Sequence, residues 1–161
     1  MIDRGRHNLL GVEVAAVDYE AAVDKVVRAA ERTAPLGVSA LAVHGLMTGA
    51  LDATHRYRLN GLDLLVPDGQ AIRWALNWLY GTQLTERVYG PELMLRVCRA
   101  AADRQLPVFL FGGSDQLLKD LEQRLRGMFP ALQIAGSRAS RFRTLSATER
   151  DELVREIRGS G

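Results

Sequence analysis

The sequence predicts an α/β fold: a Rossmann-like, mostly parallel sheet with helices on both faces. Short apolar runs of strand length alternate with segments of helical periodicity. Several runs are apolar throughout, as parallel strands covered on both faces are. Turn residues cluster where these runs end, the place at which such sheets bind ligands. With 161 residues, 47% hydrophobic and 25% charged, the chain has a core-forming composition. Its length suits one α/β domain over 1–161.

The elements follow in order. Residues 9–17 alternate partly and predict one or two short strands near an edge. Asp18 caps a helix to about 33, with Ala22, Val23, Val26, Val27 and Ala30 at helical spacing and Pro35 and Gly37 closing it. Residues 38–43 read as a buried strand ending at His44-Gly45, followed by a helix over roughly 46–59. Leu62, Leu64, Leu65 and Val66 form a short strand that stops at Pro67-Asp68-Gly69. The next helix, 71–80, places Ile72, Ala75, Leu76 and Leu79 inward. Gly90-Pro91 opens a helix to about 104, with Pro91 at the tolerated first position. Residues 108–111 make the clearest buried strand. Gly112-Gly113-Ser114 leads into a helix with Leu117, Leu118, Leu121 and Leu125 inward. Residues 132–135 form a further strand, and Ser146 with Glu149 makes a capping box opening a last helix striped by Leu153, Val154 and Ile157.

Composition excludes several classes. A formal charge of +2, from 21 basic against 19 acidic residues, is too small for a dedicated nucleic-acid binder. The single Cys98 forms no intrachain disulfide and reads as buried filler in a reducing, cytoplasmic setting. No apolar stretch is long enough to span a bilayer, and the N-terminus lacks the apolar region of a signal peptide. His7, His44 and His55 are scattered, and neither an HxxxH nor a DxD pattern occurs, so no metal site and no cofactor is expected.

Asp68, lifted out of a strand end, suits a general base on a substrate hydroxyl or, alternatively, a Pro-Asp-Gly turn whose carboxylate caps the helix. Gln70 and Arg73 either reach the same cleft or face solvent. Gly112-Gly113, at a helix N-terminus, suits a phosphate cradle or a plain tight turn; neither the dinucleotide fingerprint nor the Walker lysine is present. Arg87 either contacts a diphosphate, with Tyr89 stacking on a base or sugar, or pairs with Glu86 or Glu92. Arg138, Arg141 and Arg143 read as a solvated loop or, alternatively, as a phosphate site. His44 either touches substrate or is structural.

Taken in order, Val66-Pro67-Asp68-Gly69, Glu86-Arg87-Val88-Tyr89-Gly90-Pro91-Glu92-Leu93, Val108-Phe109-Leu110-Phe111-Gly112-Gly113 and Phe129-Pro130-Ala131-Leu132-Gln133-Ile134-Ala135-Gly136 resemble the signature of the WecG/TagA/CpsF glycosyltransferases. The resemblance covers the chain from about residue 10. It implies an inverting, metal-independent transferase that moves an N-acetylmannosamine-type sugar or a hexose. The donor is a UDP-sugar, and the acceptor is a polyprenyl-diphosphate-linked saccharide at the cytoplasmic membrane face.

By resemblance, Asp68 matches the general base, Arg87 with Gly90 the cleft-lining segment, and Gly112 with Gly113 the loop near the nucleotide diphosphate. The substrate-binding set expected on this basis is His44, Gly45, Gly69, Gln70, Arg87, Tyr89, Gly90, Gly112 and Gly113. Two departures stand out. The family's Thr-x-Asn at the preceding strand end is replaced by Val43-His44-Gly45, or by Ala40-Leu41-Ala42 in an ungapped alignment. Its Gly-Leu-Gly-x-Pro-x-Gln-Glu strand and Arg-rich C-terminal part, which contributes membrane attachment, have no counterpart.

The expectation is therefore the N-terminal two-thirds of such an enzyme, which need not turn over alone. Apolar surface left by a missing strand predicts self-association. A non-catalytic nucleotide-binding or interaction module that keeps the fold is the alternative.

Overall fold

The computed structural model describes residues 1–160 and confirms the α/β class. Its strands pair as three two-stranded sheets, and the chain divides into two compact units, residues 1–97 and 98–161.

The first unit opens with an antiparallel hairpin, β1 (Asp3–Leu9) and β2 (Val12–Val17). Leu10 and Gly11 turn it, both at positive φ (53° and 90°), as a two-residue loop matched to strand twist requires. Helix α1 (Tyr19–Glu31) is capped by Asp18, whose side chain accepts from the Ala21 N–H. Strands β3 (Val38–Leu41) and β4 (Leu64–Pro67) pair in parallel, Val38 opposite Leu64 through Leu41 opposite Pro67. The predicted helix over 46–59 is two helices, α2 (Val43–Leu51) and α3 (Ala53–Asn60). Asp52 causes the break: its N–H closes α2 on the Thr48 carbonyl, and its carboxylate caps α3 through Thr54 and His55. Helix α4 (Gln70–Tyr80) follows β4 and ends on Gly81 in the left-handed region, where a side chain would be strained.

Period-two alternation divides the strands between two cores. Leu65, Val12, Val14 and Ala16 pack with Leu41, Leu46, Leu59, Ile72 and Leu76, so α2, α3 and α4 cover one face. Leu64, Val66, Ala15 and Val17 pack with Tyr19, Ala22, Val88 and Leu93, so α1 and the first turn of α5 (Gly90–Asp103) cover the other. Helices on both faces are thus present in this unit.

The unit boundary falls within α5. In the second unit, β5 (Val108–Phe111) pairs in parallel with β6 (Ile134–Arg138), flanked by α6 (Asp115–Met128) and α7 (Ala147–Gly159). Gly136 lies under the Phe109 ring, where a Cβ would sit 2.7 Å from Cε2. Cys98 is buried with Ala101 and Ala102, as expected, and burial pushes its thiol up.

Four sequence readings need correction. β5 is not fully buried: only Leu110 is, while Phe111 is half exposed. Leu117 and Leu79 point to solvent rather than inward. β6 begins at Ile134, because Leu132 is held in a turn by its N–H to the Phe129 carbonyl. The α7 capping box is present, but α7 buries no residue. Among the described residues no helix is long and apolar enough to cross a membrane.

Candidate active site

The carboxyl ends of β3 and β4 carry the polar residues singled out in the first unit. β3 stops at Leu41, so His44 and Gly45 lie in the first turn of α2 rather than at a strand end, and the His44 side chain is exposed. The Asp68 N–H bonds to the Leu41 carbonyl at 3.1 Å, locking the two strand ends together. Gly69 is the N-cap of α4; a Cβ there would lie 3.3 Å from Val43 Cγ2 and 3.5 Å from the Val43 nitrogen. The starts of α2 and α4 are therefore neighbours. Gln70, the first residue of α4, is exposed.

Asp68 is half-buried, and its carboxylate does not cap α4, which has no side-chain cap. It reaches instead to α5, accepting the Gly90 N–H at Oδ2 over 3.4 Å. The capping alternative for Asp68 on its own helix is thereby excluded. Val88 donates to the Pro67 carbonyl at 2.9 Å, so residues 88–90 extend alongside the end of β4. Gly90 is closely packed: a Cβ would sit 3.1 Å from Ala40 Cβ, a tight contact, and 3.7 Å from the Asp68 carboxylate. Asp68, Gly69 and Gly90 are in this way brought together with the first turn of α2.

Arg87 stacks its guanidinium 4.9 Å from the centre of the half-exposed Tyr89 ring and forms no ion pair among the described residues. Glu92, its supposed partner, pairs with Arg96 at 2.7 Å. Arg87 and Tyr89 therefore present a cation and an aromatic face side by side.

A feature not read from the sequence is the pattern of helix caps. Side chains cap α1, α3, α6 and α7, through Asp18, Asp52, Ser114 and Ser146. The N-caps of α2 and α4 are Ala42 and Gly69, and neither makes a side-chain bond. First-turn amides left without such a cap are donors for an anion, and the helix dipole adds to the attraction.

Sequence reasoning also missed the groups that hold residues 81–90. Tyr19, buried at the start of α1, accepts the Tyr89 N–H at its hydroxyl over 2.9 Å. The Arg96 guanidinium lies 4.1 Å from the centre of that ring. Arg73 neither enters the cleft nor faces solvent; it donates to the Leu84 and Thr85 carbonyls at 3.2 and 2.6 Å, while its Nε is buried without a partner. Asn77, one turn on, both accepts from Leu84 N–H at 2.7 Å and donates to the Leu84 carbonyl at 2.8 Å. Polar residues at i and i+4 bordering the Ile72–Leu76 stripe were the available signal.

A cavity of about 520 Å³ opens at the opposite end of β4, beside Leu36, Asp63 and Leu64. Its Lys25 and Arg28 are paired with Asp3 and Asp24 at 2.9 and 2.8 Å, and none of the candidate site residues lines it.

In the second unit, Gly112 and Gly113 both have positive φ (128° and 61°) between β5 and α6. Their turn is tied to the neighbouring segment, Gly112 donating to the Arg138 carbonyl and Gly113 accepting from the Ser140 N–H. Arg138 pairs with Glu156 at 2.5 Å, and Glu149 takes both Arg141 and Arg143. Arg141 and Arg143 are half exposed beyond β6, whereas Arg138 is the last residue of that strand rather than part of a loop. Among the described residues no group of three or more His, Cys, Asp or Glu is gathered that could hold a metal ion.

These features define a class: an α/β protein, of the kind in which ligands bind beyond the carboxyl ends of parallel strands. Residues 7–161 match the glycosyl transferase WecG/TagA/CpsF family, and the chain belongs to it. Glycosyltransferase activity in cell-surface polysaccharide biosynthesis, with a sugar donor and an acceptor as partners, goes with that membership.

Proposed function

We propose that the enzyme is an inverting transferase moving an N-acetylmannosamine-type sugar or a hexose from a UDP-sugar to a polyprenyl-diphosphate-linked saccharide. The observation that carries this reading is Asp68. It stands half-buried at the β4 terminus, free of its own helix cap, beside two helix starts that lack side-chain caps.

In this reading Asp68 accepts the proton of the acceptor hydroxyl as the oxygen attacks the anomeric carbon. The bond to the diphosphate breaks with its electron pair on the departing UDP, and attack from the opposite face inverts the centre. Charge developing on the diphosphate is met by first-turn N–H groups of α2 and α4 and by Arg87. Gly45, Gly69, Gln70 and Gly90 line the cleft, and His44 and Tyr89 flank it. The lipid-linked acceptor puts the enzyme peripherally at the inner face of the cell membrane.

Calorimetric titration with UDP and a panel of UDP-sugars, with and without magnesium, tests the donor side. Binding that needs no magnesium and weakens in Arg87→Ala is expected. The Asp68→Asn variant should keep UDP binding while sugar transfer falls about 10²–10⁴-fold. Undiminished transfer by Asp68→Asn would remove Asp68 from the chemistry. UDP binding with no transfer under any condition would favour a non-catalytic nucleotide-binding module.

A further inference from the structure

We infer that Arg73 is a positioning residue for the donor: from α4 it fixes one end of the short span that carries Arg87, and through Arg87 it sets the affinity for a nucleoside diphosphate. The inference deepens the donor reading of Arg87 and rests on it.

The segment leading to Gly90 is anchored twice, once in each core of the first unit. Leu84 is buried in the core covered by α2, α3 and α4, whereas Val88 is buried in the core on the other face of the sheet. Separate groups hold the two ends. At the first, Asn77 accepts the Leu84 N–H and the Thr82 hydroxyl, both at 2.7 Å, and Arg73 donates to the Leu84 and Thr85 carbonyls at 3.2 and 2.6 Å. At the second, Val88 donates to the Pro67 carbonyl, Tyr89 to the Tyr19 hydroxyl and Gly90 to the Asp68 carboxylate. Glu86 and Arg87 alone lie between the bonds to Thr85 and from Val88, and among the described residues the Arg87 side chain only stacks on Tyr89. The place of Arg87 therefore follows the two anchors.

The first anchor is built in a way that stability alone does not favour. The Arg73 Nε is buried without an acceptor, and an unmet buried donor opposes folding. Gln83, between the two residues that Asn77 grips, has a φ of 58°, a left-handed conformation that a non-glycine residue keeps only where its surroundings impose it. Local cost of this kind gathers where geometry serves a ligand. A guanidinium that drew the diphosphate by its own charge would act independently of Arg87; one that acts by placing Arg87 cannot.

Calorimetric titration with UDP of the wild-type chain, Arg73→Met, Arg87→Ala and the double variant closes a cycle on this distinction. Arg73→Met should weaken UDP binding by about tenfold, within the range for coupled neighbours. The double variant should bind no more weakly than Arg87→Ala. Arg73→Lys, which keeps the charge and one donor, should recover part of the loss, and it carries the same cycle should the methionine variant not fold. In hydrogen exchange the Leu84 amide should speed up in Arg73→Met while those of Val88 and Tyr89 keep their rates, because the second anchor is intact.

Unchanged UDP affinity in Arg73→Met overturns the inference, as do single losses that multiply in the double variant, which would put Arg73 on the ligand itself or in general stability. Faster exchange at Val88 and Tyr89 also overturns it, since the two ends would then be one anchor. Weaker binding by Arg87→Ala without weaker binding by Arg73→Met sinks the inference alone. Unchanged binding by Arg87→Ala, or no UDP binding by the wild-type chain, removes the donor reading and the inference with it.

Discussion

Tyr19 and Gly90 fix the geometry around Asp68 without contributing chemistry of their own. The Tyr19 hydroxyl accepts the Tyr89 N–H, while its ring packs beneath Arg96. Phenylalanine keeps the ring and deletes only the acceptor, so Tyr19→Phe should destabilise the protein by about 1 kcal/mol. Urea denaturation measures it, and no loss would mean that water replaces the hydroxyl at that amide. Because the Tyr89–Gly90 peptide then loosens beside the carboxylate, the transfer rate should fall while UDP affinity holds. Gly90 tests the same contact sterically. In Gly90→Ala the new methyl meets Ala40 Cβ at 3.1 Å, so the segment or β3 must give by a few tenths of an ångström beside Asp68. Transfer should drop, and adding Ala40→Gly should restore part of it. Failure of that rescue would mean the Gly90 methyl acts through something other than the Ala40 contact.

At the scale of elements, α7 is held by its start rather than by a core. It buries no side chain, and its first turn is a knot in which Glu149 binds Arg143, Arg141 and the Ser146 N–H. The Arg143 hydrogen bond is the main cause that lowers the Glu149 carboxyl from 4.5 to about 2. A carboxyl with a depressed folded pKa contributes above its unfolded value and loses that contribution as pH falls through the folded one. The knot should therefore hold at pH 5 and above and release between about 4.5 and 2. Hydrogen exchange of the α7 amides should accelerate across that window. Glu149→Gln should exchange fast at neutral pH and lose that pH dependence.

What was legible in the sequence also divides by element. The β4 strand, its Pro67-Asp68-Gly69 end and α4 were readable because a run buried on both faces and a turn signal leave one arrangement. The α7 capping box was readable because its two hydrogen bonds are local. Leu117 and Leu79 were misplaced because an amphipathic stripe shows which residues can turn inward, not how wide the covering surface is. The destination of Arg73 was hidden for another reason. Its acceptors are backbone carbonyls in the 81–85 loop, and every residue type carries one. The missing caps of α2 and α4 were open to inspection as Ala42 and Gly69, but only the boundaries of β3 and α4 reveal that these are N-caps.

At the scale of the whole molecule, burial is unequal between the two compact units. Among the largest fully buried side chains, Leu65, Ile72, Leu76, Leu84 and Val66 belong to residues 1–97, whereas only Leu125 comes from 98–160. The second unit's remaining buried residues are Cys98, Ala101, Ala102, Leu110, Leu118, Phe129 and Leu132, fewer than the first unit's. Local stability follows buried apolar contact, so amides of β2 and β4 should exchange most slowly and those of β5 and β6 faster. Leu65 is the side chain on which this contrast turns, since it is wholly buried at the centre of β4 between Val12, Val14, Ile72 and Leu76. Leu65→Ala should destabilise the first unit by about 2–5 kcal/mol, the range for an aliphatic truncation that leaves a cavity. Its signature is selective. Exchange should accelerate throughout β2, β3, β4 and α4, and UDP affinity should fall with it, because the Leu41 to Asp68 hydrogen bond that joins the strand ends depends on that sheet. Acceleration confined to β4, with β2 and α4 unchanged, would show that the three elements do not open as one cooperative unit.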